Sequence, residues 1–194
     1  MTDLAANPLV TDARVAELYA KQQITEVLYR RARAGDRRDV DLALSCYHDG
    51  ATEVHEGFAG PAAEFVRDRS MISPNSTAPV TFLWHFISNI LIDVHGDEAD
   101  VESYHIALVG RQTDEEGPTQ STIGGRYLDR FALRDGRWAI TERTVVFDWS
   151  RVDPETTTYW ELVGLDESKL LRGSFGPGDP LDEFLSETRD RTPG

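Results

Sequence analysis

Four long strand-like segments dominate the second half of the chain and restrict it to a sheet-based fold. They span Thr81–Val94, Val101–Arg111, Thr122–Leu133 and Trp138–Phe147. Only HGDEAD, TDEEGPTQ and the tight Asp135–Gly136 pair separate them. Long consecutive strands joined by such short links must run antiparallel, because parallel neighbours need a longer crossover. The Asp-Gly pair is a strong hairpin signal, since the favoured two-residue turn needs positive φ at both central positions.

The first half reads differently. A helix is expected from about Ala13 to Gly35, opened by Thr11 or Asp12 as a cap. Ile24, Val27, Leu28 and Gly35 recur near helical spacing and make an apolar stripe, and Arg31 falls on that stripe. Asp36 follows the Gly35 stop. A second short helix is expected from about Val40 to Tyr47, ending at Gly50. ATEVHEGFAG then reads as a short strand and turn, PAAEFVRDR as a short helix with Pro61 at its start, and SMISPNSTAPV as a turn-rich loop.

Helices first and strands after give an α+β class. The expected architecture is a curved antiparallel β-sheet wrapped with the N-terminal helices into a cone that encloses a pocket. Residues 1–12 form a lead-in and 13–150 one domain. Residues 151–194 are a C-terminal extension rich in Pro, Gly and charge, with helical pieces near Tyr159–Gly164 and Leu181–Glu187. This extension is expected to lie on the domain, to cap the pocket or to cross onto a neighbouring subunit. A chain of 194 residues can bury a core without disulfides or a structural metal.

Charge then narrows the function. Asp and Glu outnumber Lys and Arg 34 to 20, for a formal net charge of −14. Such a chain repels phosphate backbones and anionic lipid surfaces, which argues against nucleic-acid and membrane partners. No apolar run approaches the roughly 20 residues of a membrane span. The N-terminus, MTDLAANPLVTDAR, lacks the basic and apolar regions of a signal peptide, so a reducing cytoplasm is the expected location. The single Cys46 cannot form an internal disulfide and reads as a small buried apolar residue.

Few residues stand out for chemistry. There is no G-x-G-x-x-G, P-loop or G-x-S-x-G motif, so no nucleotide cofactor is expected. Gly124–Gly125 lies inside a strand pattern and reads as a bulge or sharp bend. The histidines at 48, 55, 85, 95 and 105 show no H-x-H or H-E-x-x-H spacing, and no metal is expected. Arg30, Arg33, Arg37 and Arg38 read as cations favourable to a helix C-terminus, whereas Arg31 points inward. His85 shares a strand face with Leu83, Ile87, Asn89 and Leu91, where a polar ring is costly unless partnered. Arg143 shares a face with Ala139, Val145 and Phe147. Taken singly, these could be a satisfied core histidine, a surface-edge arginine and, at Asp36, a cap.

The order of segments adds to this. A helix ending in Asp is followed by Y-H-D-G-A, G-P-A-A-E-F, W-H-F-I-S-N, G-G-R-Y-L-D-R-F and R-D-G-R-W-A-I-T-E-R. Over roughly residues 13–150 this resembles the SnoaL-like branch of the nuclear-transport-factor-2-like superfamily. That group includes scytalone dehydratase, hexachlorocyclohexane dehydrochlorinase, bile-acid dehydratases and a cofactor-free diarylpropane lyase. The resemblance implies a catalytic Asp–His dyad at Asp36 and His85, and an Arg five residues after the hairpin Trp, which is Arg143 after Trp138. The family commonly has a Tyr five residues before the Asp. Here that position is Arg31, which implies a more anionic or more oxygenated ligand.

The implied function is a cofactor-independent lyase, a dehydratase or related elimination enzyme. His85 would abstract a proton from a small, largely apolar, oxygenated ring substrate. Arg143 and Arg31 would stabilise developing negative charge, and Trp84, Tyr104 and Tyr127 would bind substrate as donors or stacking walls, unless they are core aromatics. The same base would also serve an isomerase or cyclase of polyketide or steroid type. A non-catalytic ligand-binding module or a dioxygenase small subunit is the alternative outside enzymes. Family members suggest a homodimer or homotrimer.

Overall fold

The computed structural model describes residues 11–183, apart from 71, 74, 76, 78, 114–116 and 155–157. Most of the lead-in, and residues 184–187 of the second helical piece in the extension, therefore lie outside the described residues.

Helix α1 spans Asp12–Asp36. The Thr11 side chain caps it by accepting from the Arg14 backbone N–H. Ala20, Ile24, Val27, Leu28, Arg31, Ala34 and Gly35 are its buried face, so the inward stripe carries one arginine. Helix α2 spans Val40–Ser45 and is capped by Asp39, which accepts from Leu42 N–H. It ends before Tyr47, because the chain turns at Cys46 into strand β1, Tyr47–His55. Strand β2 is Phe58–Pro61, and α3, Ala62–Glu64, runs on into a π-helical turn over Phe65–Arg69.

The long strands are β3 (Val80–His95), β4 (Glu98–Thr113), β5 (Gly117–Arg134) and β6 (Arg137–Pro154). Asp135 and Gly136 have φ of 53° and 73°, the conformation a two-residue hairpin turn demands. Strand β6 continues to Pro154, beyond Phe147, because β5 supplies partners as far as Thr119. The extension contributes α4, Tyr159–Val163.

The six strands make a curved, unclosed sheet in the order β2-β1-β6-β5-β4-β3. Every neighbouring pair is antiparallel except β1 and β6, which run parallel. The stretch from β2 through β5 supplies the crossover that a parallel pair needs. Helix α1 packs against β3, and between helices and sheet sits a core that includes Ile24, Leu28, Phe131 and Ile140. No described helix is long and apolar enough to cross a membrane.

The register shifts five times across the sheet, and three of those shifts bear on the faces read from the sequence. In β3 the register shifts between Ser88 and Leu91, where Asn89 has φ of 46°. One inserted residue reverses the alternation. Leu83, His85 and Ile87 therefore face inward, but after the bulge Ile90, Ile92 and Val94 do so, and Leu91 is 65% exposed. The expectation that Asn89 and Leu91 share the face of His85 fails for this reason. In β6, Arg130 pairs with Glu142 and Phe131 with Ile140, leaving Thr141 as the extra residue. Trp138 and Ile140 thus pack in the core with Arg143, Val145 and Phe147 inward after them, while Ala139 lies on the other face. A further shift falls between Gly124 and Gly125, where Asp148 of β6 is the extra residue opposite the glycine pair.

The C-terminal segment lies on its own domain. Arg38 stacks over Phe175 at 5.2 Å, and Arg37 Nε is 3.4 Å from Asp179. Burial works against the Asp179 charge, but the backbone N–H groups of Ser174 and Leu181, with Arg37, outweigh it. None of its described residues lines the cavity below.

Candidate active site

A cavity of about 80 Å³ opens between α1 and the concave face of the sheet. Its apolar wall includes Leu28, Leu83, Val109, Ile123, Val145 and Phe147. The polar lining includes three histidines, two arginines, two glutamates, a serine and a tyrosine: His55, His85, His105, Arg31, Arg143, Glu53, Glu56, Ser70 and Tyr127.

Asp36 ends α1 where it abuts β3. Its Oδ1 is 2.7 Å from His85 Nδ1, and its Oδ2 accepts from the His85 backbone N–H at 3.3 Å. One carboxylate therefore holds both the ring and the backbone of His85. A carboxylate can only accept here, so Nδ1 carries a proton and Nε2 is the nitrogen left for other chemistry. Gly35 lets the ring lie against the helix, since a β-carbon there would stand 3.3 Å from His85 Cε1 and 3.9 Å from Arg31 Nη1.

Arg31 projects from the buried stripe of α1. Its Nε donates to Tyr47 Oη at 3.0 Å, and Tyr47 in turn donates to Glu53 Oε2 at 2.7 Å. No carboxylate among the described residues forms a direct ion pair with it. Burial works against the Arg31 charge, but Tyr47 and Glu53 outweigh burial and raise its pKa. Burial pushes the Tyr47 phenol up, so it stays a neutral donor. Position 31 is not the tyrosine that the resemblance implies, yet Tyr47 places a phenol beside it.

Arg143 is differently committed. Its Nε and Nη2 both donate to Asp129 at 2.7 Å, a buried bidentate pair, leaving Nη1 outside it. Burial opposes its charge, but Asp129 above all holds it well above the ordinary value. The guanidinium lies 4.3 Å from the centre of the Tyr127 ring, and burial pushes that phenol up to about 12.

Trp84 and Tyr104, expected to bind substrate, do not reach the cavity. They flank His85 and His105 in sequence, and strand alternation turns them to the outer face, where they are 52% and 41% exposed. Cys46 is buried, its thiol pushed up by burial and bonded to the Leu42 carbonyl at 3.3 Å.

Two polar features are not among the residues singled out from the sequence. His105 lies stacked on Tyr127 at 4.3 Å, with a buried Nδ1 that has no partner among the described residues. Burial first, then the charges of His85, Arg143 and His55, depress its pKa to about 4. Its inward-facing position follows from the alternation Ser103, His105, Ala107, Val109. Glu53 is fully buried and accepts from His55 Nδ1 at 2.9 Å. Glu-x-His on a strand puts both side chains on one face, a signal present in the sequence. Burial works to raise the Glu53 carboxyl. Hydrogen bonds from His55 and Tyr47, with the charges of Arg31 and Arg143, outweigh it and hold the group below its ordinary value. Among the described residues, no three His, Cys, Asp or Glu are grouped to hold a metal.

The fold recurs in solved structures. A scytalone dehydratase-like protein from Novosphingobium aromaticivorans is 20% identical, with a TM-score of 0.60 over 73% of this chain and 92% of its own. A type 2 hexachlorocyclohexane dehydrochlorinase is 16% identical, with a TM-score of 0.62 over 75% and 96%. A nuclear-transport-factor-2-like protein from Salmonella enterica serovar Typhimurium is 17% identical, with a TM-score of 0.59 over 75% and 98%. A search of curated proteins finds no significant sequence match. The family model for the SnoaL-like domain matches residues 16–144, well over half of the chain. The chain belongs to the SnoaL-like domain family.

Proposed function

We propose that this protein is a cofactor-independent lyase that eliminates water or a related leaving group from a small, oxygenated ring compound. The observation that carries the reading is the double grip of Asp36 on His85. An imidazole fixed by a carboxylate on one nitrogen presents a correctly oriented base on the other. His85 Nε2 takes a proton from carbon next to a carbonyl or ring oxygen. Negative charge then grows on that oxygen. Arg31, a buried cation with no ion pair of its own beside the His85 ring, stabilises it. Arg143 is held by Asp129 and contributes through Nη1, and Tyr127 forms the wall beneath it. The substrate is the expected partner; a homodimer or homotrimer in the cytoplasm remains our expectation for the assembly.

The reading is tested with His85→Ala and Asp36→Asn on a panel of hydroxylated ring ketones and phenols in deuterated water, products followed by NMR. The expected result is loss of alkene formation by about 100-fold or more, with the fold intact by circular dichroism. Turnover equal to the wild type in both variants, or no elimination or carbon-bound exchange by the wild type, overturns it. Exchange without loss of a leaving group would instead mark an isomerase.

A further inference from the structure

The cavity holds a second carboxylate–histidine pair for which the single-base reading has no use. We propose that Glu53 and His55 form the acid half of the site, with His55 donating a proton from Nε2 to the departing oxygen. This rests on the lyase reading and adds the group that completes its leaving step.

Sheet order places the two pairs. His55 ends β1 and His85 lies on β3, with β6, β5 and β4 between those strands. Both side chains line one cavity, so the curved sheet sets them on different walls of it. The anchoring repeats that of His85: Nδ1 donates to a carboxylate, and Nε2 is left for the cavity. Glu53 is ionised and buried, and its two oxygens are fixed by Tyr47 and His55. Phe65 stacks on the His55 ring at 4.5 Å, and Phe147 stands 5.7 Å from it, so the ring has little freedom to turn. His55 is also partly exposed at the cavity rim, which gives it access to protons from water. The third cavity histidine, His105, is held neutral, by burial first and then by the charges around it.

The step balances. The pair from the broken C–H bond becomes the new C=C bond, and its proton moves to His85 Nε2. The C–O bond breaks with its electrons on oxygen, and the His55 proton completes a water molecule. His85 ends charged and His55 neutral, and exchange with solvent resets both.

The test compares leaving groups. Hydroxide needs a proton to depart, whereas chloride does not. Wild type, His55→Gln and His85→Ala are assayed on 3-hydroxycyclohexanone and 3-chlorocyclohexanone, both giving cyclohexenone. His55→Gln should lower dehydration by about 100-fold more than it lowers chloride loss, the range of general acid catalysis. A merely structural role would lower both alike. An unchanged ratio between the two substrates in His55→Gln overturns the acid assignment while the base reading stands. Full activity in His85→Ala, or no turnover of either ketone by the wild type, overturns the base reading and the acid assignment with it.

Discussion

Gly35 and His85 touch with no space to spare: a β-carbon on Gly35 would lie 3.3 Å from Cε1 of the ring and 3.6 Å from its Nδ1. The ring cannot withdraw freely, because Asp36 holds it at 2.7 Å. Gly35→Ala therefore sets helix propensity, which favours alanine by up to about 1 kcal/mol, against displacement of the base. Stability by urea unfolding should change little. Elimination should fall between about tenfold and 100-fold, since small misplacements of a reacting group are costly. Unchanged turnover would mean the ring adapts.

Arg31→Met removes a buried charge that has no ion pair, so the protein should stay folded. Turnover should fall by about 100-fold or more, the usual effect of deleting one group that stabilises developing charge. Steady-state kinetics on the hydroxylated ketones decide this, and near-wild-type rates would remove Arg31 from the chemistry.

Asp129→Asn acts on stability first. It leaves the buried Arg143 guanidinium without its charged partner, which costs about 3–5 kcal/mol for pairs of this kind. Urea unfolding should show a lower midpoint with a similar slope. A loss under about 1 kcal/mol would show that the amide oxygen suffices.

His105 gives the fold an acid sensitivity. Its pKa is near 6.5 when unfolded and about 4 when folded. The folded protein binds fewer protons across that window, so its contribution to stability is complete above pH 6.5 and is lost as pH falls through 4. The difference is on the order of 3 kcal/mol at about 1.4 kcal/mol per unit. His105→Phe keeps the stacking on Tyr127 and should flatten stability between pH 6.5 and 4, measured by urea midpoints at both ends. An unaltered pH slope would refute the assignment.

The long strands and their hairpins were readable because alternation and the Asp135–Gly136 turn are local signals. Facing was readable only as far as each bulge. Asn89 and Thr141 each add one residue, and neither announces itself in composition, so plain alternation puts Leu91 and Ala139 on faces they do not occupy. Trp84 and Tyr104 attract attention as aromatics near a site, but a period of two turns them outward. Asp36 and His85 are 49 residues apart, and their pairing is implied by family resemblance rather than by any spacing in the chain. Glu53 and His55 were within reach of alternation alone. His105 was too, opposite Gly125 in the register, where a side chain would collide with the ring.

The two pairs differ in how they are built. Glu53 and His55 sit two residues apart on one strand, whereas Asp36 reaches His85 only while α1 lies against β3. Any loosening of that helix from the sheet disconnects the base before the rest of the molecule comes apart. Heat should therefore silence this protein in two stages, with catalytic half-life falling at temperatures where circular dichroism still reports an intact sheet.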